Sequence, residues 1–129
     1  MSRIAYLGPE GTFTEAALLA MVAAGMVPDG GDVRPEPAES TPAALEAVRS
    51  GATEFACVPI ENSIEGSVLP TLDSLAAGSS LQIYAELTLD VSFSIVTRPG
   101  ITAEQVRRVA AFPVAAAQVR RWLAAHLPD

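Results

Sequence analysis

Lysine is absent from the sequence, and cysteine and histidine occur once each, as Cys57 and His126. Without lysine, Schiff-base chemistry on a lysine side chain is excluded for this chain. A single cysteine permits no internal disulfide. One cysteine and one histidine cannot furnish a structural zinc site, so no metal is expected. No apolar run reaches the roughly 18 residues needed to cross a bilayer. Residues 14–25 are apolar but short, carry Glu15 and follow no basic leader, so they do not read as a signal peptide. A cytoplasmic protein without a membrane partner is expected. Positive charge is scarce as well. Eight arginines face fifteen acids, for a net charge of −7, which argues against nucleic acid as a partner. The acids concentrate early: residues 1–78 hold eleven against three arginines, and residues 79–129 hold four against five.

The chain does have enough apolar material for a core. Half of its 129 residues are hydrophobic, which suits one domain or two small lobes. Residues 3–7 read as a first strand, apolar on both faces as parallel strands are. Gly8-Pro9-Glu10-Gly11 is a turn. Thr12 and Glu15 form a capping box that starts a helix running to about residue 24, closed by Gly25. Residues 33–39 make a weak strand confined to an edge by Pro35 and Pro37. Thr41 is expected to cap a second helix, with Pro42 at its first position and Gly51 at its end. A third strand is expected over 54–60 and a third helix over 68–76.

Strand alternating with helix at this spacing predicts an α/β sheet, in which ligands sit beyond the C-terminal ends of the strands. From residue 81 the pattern changes. A long strand-like stretch over 82–97 leads to a turn at Pro99-Gly100. Thr102 and Gln105 make another capping box before a short helix. A short strand is expected over 109–112, and a helix from Pro113 to about 127 with Ala115, Val119, Trp122 and Leu123 on one inward face. The expected division is a first α/β lobe over 1–80, then crossover strands and the incomplete start of a second lobe over 81–129.

The loops after the first and third strands, 8–13 and 61–67, both lead into helix N-termini. Such termini carry unpaired N–H groups and partial positive charge. Gly8, Gly11 and Gly66 allow backbone to approach a ligand closely. Thr12, Thr14, Asn62, Ser63 and Ser67 add short hydrogen-bonding groups, and Glu10, Glu61 and Glu65 either handle protons or cap helices. The set suits a small polar carboxylate held without metal or cofactor. It lacks the spacing of dinucleotide and P-loop sites. The bland alternatives are that Thr12 and Glu15 only cap, that Cys57 is a small buried apolar residue, and that His126 is a surface group at a helix end. Glu61-Asn62-Ser63 is least easily dismissed, because three polar side chains are not needed merely to turn the chain.

Residues 6–17 (YLGPEGTFTEAA) and 58–68 (VPIENSIEGSV) resemble the two N-terminal signature stretches of prephenate dehydratases, and residues 110–123 (AAFPVAAAQVRRWL) resemble a third block. The resemblance runs along essentially the whole chain, in order. It implies a lyase of phenylalanine biosynthesis that converts prephenate to phenylpyruvate without a cofactor. It also implies a two-lobed catalytic region similar to type II periplasmic binding proteins and a following ACT domain through which phenylalanine acts. Separately, an isolated half-lobe exposes apolar surface, so a homo-oligomer is expected. On this resemblance Gly11, Thr12, Asn62, Ser63, Gly66 and Ser67 bind substrate. Glu61 either orients them or serves as the acid. The family's main catalytic threonine, in a Thr-Arg-Phe or Thr-Arg-Asp stretch, is expected beyond residue 129, as is the ACT domain, so the chain is expected to be inactive alone. The competing expectation is a non-catalytic module that binds a small carboxylate or amino acid.

Overall fold

A computed structural model describes residues 1–127 and divides the chain into two units, Met1–Asp90 and Val91–Asp129. The first is α/β. Strand β1 (Ser2–Leu7) lies between β2 (Val33–Ala38) and β3 (Phe55–Cys57), parallel to both. Ile4, Ala5 and Tyr6 are each no more than 2% exposed, so the strand is covered on both faces, as its unbroken apolar run requires. Ile4 and Tyr6 pack with Leu18 of helix α1 (Phe13–Ala23), and Val22, Val27, Val33, Phe55 and Cys57 surround them. Helix α2 (Thr41–Arg49) packs against all three strands and buries Ala44 and Leu45.

The prolines of β2 sit where they cost no pairing. Gly8 N–H donates to Ala38 O (2.9 Å), so Ala38, and by alternation Glu36 and Arg34, direct their backbone groups at β1. Pro35 and Pro37 therefore face the open edge, and that edge lacks two donors with which a stray strand could pair.

Local capping decides where the helices begin and end. Thr12 Oγ1 accepts from Glu15 N–H at the start of α1 (3.3 Å). At its end Gly25 takes φ +67°, and the Gly25 and Met26 amides return to Val22 O and Met21 O, so the orphan carbonyls are satisfied. The cap of α2 is one residue earlier than expected. Ser40, in extended backbone, accepts from Ala43 N–H through its hydroxyl (3.2 Å), while Thr41 is buried as the first helical residue.

The third strand is shorter than expected. It is paired only over Phe55–Cys57, opposite Ile4–Tyr6, because β1 ends at Leu7 and Pro59 has no N–H to give. The chain then forms a small antiparallel ribbon, β4 (Glu61–Asn62) with β5 (Gly66–Ser67), and enters helix α3 (Leu69–Ala76). Fully buried Thr71 donates its hydroxyl to Pro59 O (2.6 Å) and ties α3 to the exit of β3. Arg49, at the end of α2, donates to Ser74 O, to Ala77 O (2.9 Å) and to Ser79 O (3.2 Å). One guanidinium thereby closes the C-terminal end of α3 and joins two helices.

Residues 81–127 depart most from expectation. Neither 82–97 nor 109–112 forms a strand among the described residues. A β-favouring pattern supplies side chains, but a strand also needs a neighbour for its N–H and C=O groups. The Thr102–Gln105 box is present, with Gln105 Oε1 accepting from Thr102 N–H (3.0 Å), yet it opens only a 3-10 turn over Ala103–Gln105. Helix α4 (Pro113–His126) forms as expected, with Ala115, Val119 and Leu123 half-buried. Trp122 was expected inside but is 49% exposed, and its ring stacks on His126 with centroids 4.2 Å apart. Val96 and Phe112 are 89% and 75% exposed.

Two tests follow from this frame. Arg49→Ala is expected to destabilise the protein to urea by about 2–3 kcal/mol, because it strips three carbonyls of a charged donor. Arg49→Lys should recover little of that loss, since a compact ammonium cannot reach as a fork does. The second test concerns Glu54, which accepts from Arg3 side chain and backbone (2.6 Å each). These hydrogen bonds, with the Arg3 charge, lower its pKa from 4.5 to about 2. The stabilisation is complete above pH 4.5 and is lost as pH falls towards 2. Acid titration of stability should therefore show a component in that window that Glu54→Gln removes. The pair is partly exposed, so added salt should weaken it.

Candidate functional site

Because β1, β2 and β3 are parallel, their C-terminal ends share one edge of the sheet, and the segment leaving β1 rises beside the segment leaving β3. Tyr6 is opposite Cys57 in register, about 4.8 Å away by the spacing of paired strands. The Cys57 thiol approaches Thr14 O (3.8 Å), so the end of β3 also touches the first turn of α1. The two loops singled out in the sequence therefore both follow strands that end on the same edge of the sheet.

The first crest, 8–12, is built around a carboxylate of the chain itself. Gly11 stands at φ +81°, a left-handed conformation that glycine adopts without strain. Its N–H donates to Glu15 Oε2 (2.6 Å), while Tyr6 O–H donates to Glu15 Oε1 (3.2 Å). Burial, and then the Glu15 charge, push the Tyr6 phenol above its ordinary pKa. Thr12 Oγ1, besides accepting from Glu15 N–H, donates to Leu7 O (3.2 Å). The capping box is thus present in altered form: Glu15 reaches one residue beyond the cap amide, to Gly11. The Gly11 amide and the Thr12 hydroxyl already have partners within the chain. Gly8 also meets a packing requirement. A Cβ there would lie 2.9 Å from Pro37 Cβ, so its missing side chain lets β2 close against the turn.

The second crest is the β4–β5 ribbon. Asn62, the chain's single asparagine, accepts from Ile64 N–H (2.9 Å) and Glu65 N–H (3.2 Å) through Oδ1 and so shapes the turn. That turn does not use the Nδ2 donors. Gly66 takes φ +82° opposite Asn62, and Ser67 pairs with Glu61. Val68 N–H closes the ribbon on Ile60 O (2.9 Å). Glu61, Ser63 and Ser67 are exposed at this edge. Gly11 and Thr12 thus lie on the first crest, Asn62, Ser63, Gly66 and Ser67 on the second, and Glu61 at the base of the second.

Burial raises the Cys57 thiol pKa, and it packs against the apolar cluster with its one polar neighbour a carbonyl oxygen, so it is not poised as a thiolate nucleophile. Among the described residues no cluster of three or more His, Cys, Asp or Glu is placed to hold a metal ion, and no helix is long and apolar enough to cross a membrane. Sequence reasoning missed the Tyr6–Glu15 link. The available signal was a phenol inside a buried strand, which must find a partner for its O–H.

A family model described as prephenate dehydratase matches residues 4–129. A prephenate dehydratase of Mycobacterium marinum is 73% identical over 131 residues, covering all of this chain and 42% of the relative. One of Mycobacterium leprae is 72% identical over 98% of this chain and 40% of its own length. The crystal structure of prephenate dehydratase from Arthrobacter aurescens, in complex with L-Phe, superimposes with a TM-score of 0.78 at 42% identity, over 98% of this chain and 40% of that one. The chain spans about two fifths of the length of these relatives. With a family model matched over nearly its whole length, the chain belongs to the prephenate dehydratase family.

Proposed function

We propose that this chain supplies the first lobe, and the start of the second, of a prephenate dehydratase whose catalytic region has the two-lobed form of type II periplasmic binding proteins. The reaction is a decarboxylating dehydration. The bond from the ring to its carboxylate breaks, carbon dioxide leaves, and the electron pair passes through the ring. The C4 hydroxyl departs as water after accepting a proton, and phenylpyruvate remains. Aromatisation drives the step, so the protein need only orient the substrate, hold the side-chain carboxylate that persists in the product and supply one proton.

The observation that carries the proposal is the parallel pairing that brings both signature loops out on the same sheet edge. Asn62 is the strongest substrate contact in this reading, because its turn spends the oxygen and not the Nδ2 donors. Ser63 and Ser67 add hydroxyls from the same ribbon, and Gly66 gives the ribbon its bend. Thr12 and Gly11 act through loop position, since the Gly11 amide and the Thr12 hydroxyl already have partners. Glu61 either orients the ribbon or donates the proton. The main catalytic threonine and a phenylalanine-binding ACT domain are assigned to the remaining length of the protein. A cytoplasmic location, a homo-oligomer and independence from cofactors accompany this role.

The test is turnover of prephenate by the full-length protein. Asn62→Ala is expected to raise KM about tenfold, the value of roughly one hydrogen bond to a charged group, while the 129 residues alone should form no phenylpyruvate. Normal turnover by the 129 residues would overturn the division of labour. Binding without turnover by the full-length protein would favour a carboxylate-binding module instead. A second test follows from the exposed apolar side chains. Burial is worth about 25 cal/mol per Å², so the 129-residue chain should elute above its monomer mass on size exclusion, and a clean monomer would oppose this.

A further inference from the structure

The Gly8–Thr12 crest is not held by its own turn alone. Tyr6 is 1% exposed and forms part of the apolar cluster with Ile4 and Leu18. Its hydroxyl reaches Glu15, and the other oxygen of that carboxylate takes the Gly11 amide. A rigid strand is thereby connected, through one half-buried carboxylate, to the tip of the loop.

Simple helix capping does not require this arrangement. A capping box is complete when the acid reaches the cap amide. Here the acid passes the cap, takes the amide of the left-handed residue before it and is itself anchored from below by a phenol. The same first turn of α1 is also met by the Cys57 thiol at Thr14 O. A carboxylate on this crest is also unfavourable for binding a dianion. Its charge opposes the ligand, so a purely electrostatic role predicts that removing it improves binding.

We propose that Glu15 is a positioning residue: bridging the core hydroxyl of Tyr6 and the amide of Gly11, it sets the loop that contributes to substrate binding. This rests on the crest being part of the substrate site. The bridge needs a side chain of glutamate length with two acceptor oxygens. Aspartate is too short to span both partners. Glutamine spans them and keeps one acceptor for Gly11, with its amide left to donate to the Tyr6 oxygen.

The experiment compares Glu15→Gln, Glu15→Asp, Tyr6→Phe and Asn62→Ala in the full-length protein, with prephenate as the probe. KM is expected to rise about fivefold to tenfold for Glu15→Asp and Tyr6→Phe, with kcat within about twofold, and to rise less for Glu15→Gln. The Gly11 amide proton, read in protein labelled with 15N-glycine, should lie downfield in the parent. It should move upfield in Glu15→Asp, which reports the bridge even in a variant of reduced stability. A fall in KM for Glu15→Gln would overturn the proposal in favour of plain charge repulsion. A fall in kcat at unchanged KM would overturn it in favour of a direct part in chemistry. If Asn62→Ala raises KM but the Glu15 and Tyr6 variants do not, the positioning role fails and the substrate crest stands. If none of the four alters KM, both fail.

Discussion

The parallel pairing of β1 with both β2 and β3 is the constraint on which the rest of the structure depends. A strand buried on both faces must be apolar throughout, and 2–7 comes close to that, with Ser2 buried and Arg3 committed to Glu54. Parallel pairing directs every strand end to the same edge. Two loops separated by some fifty residues in sequence therefore follow strands that end on one edge of the sheet.

Each crest is shaped by a polar side chain that binds its own backbone. Glu15 holds Gly11 and is held by Tyr6; Asn62 folds the turn over Ile64 and Glu65. Groups that look like ligand donors in a list of residues are in part spent on the loop itself. Fixing a loop in advance removes the cost of ordering it when a ligand arrives, so these internal bonds are compatible with binding. They also redistribute the roles: in the proposed site Asn62 Nδ2 and the exposed serines offer direct contact, whereas Gly11 and Thr12 define shape.

Much of the first unit was legible in the sequence. Thr12 and Gly25 bracket α1 as read, the prolines place β2 at an edge, and the α/β class holds. The errors have physical causes. The cap moved from Thr41 to Ser40 because either hydroxyl could cap and only one residue of the pair is extended. The third strand shrank to three residues because pairing stops where its partner stops. The strands read over 82–97 and 109–112 did not form, since residue type marks a strand's faces but not its neighbour.

By itself the sequence determined where helices start and stop, because capping joins residues three or four apart and is settled by local identity. It also determined that two polar, glycine-bearing loops follow apolar strands. Only the tertiary structure decided that those loops follow strands ending on one sheet edge, that Gly8 serves packing, and that Tyr6 reaches Glu15. Those outcomes depend on which distant groups come within hydrogen-bonding distance, and that distance is set by the sheet register rather than by any stretch of residues alone.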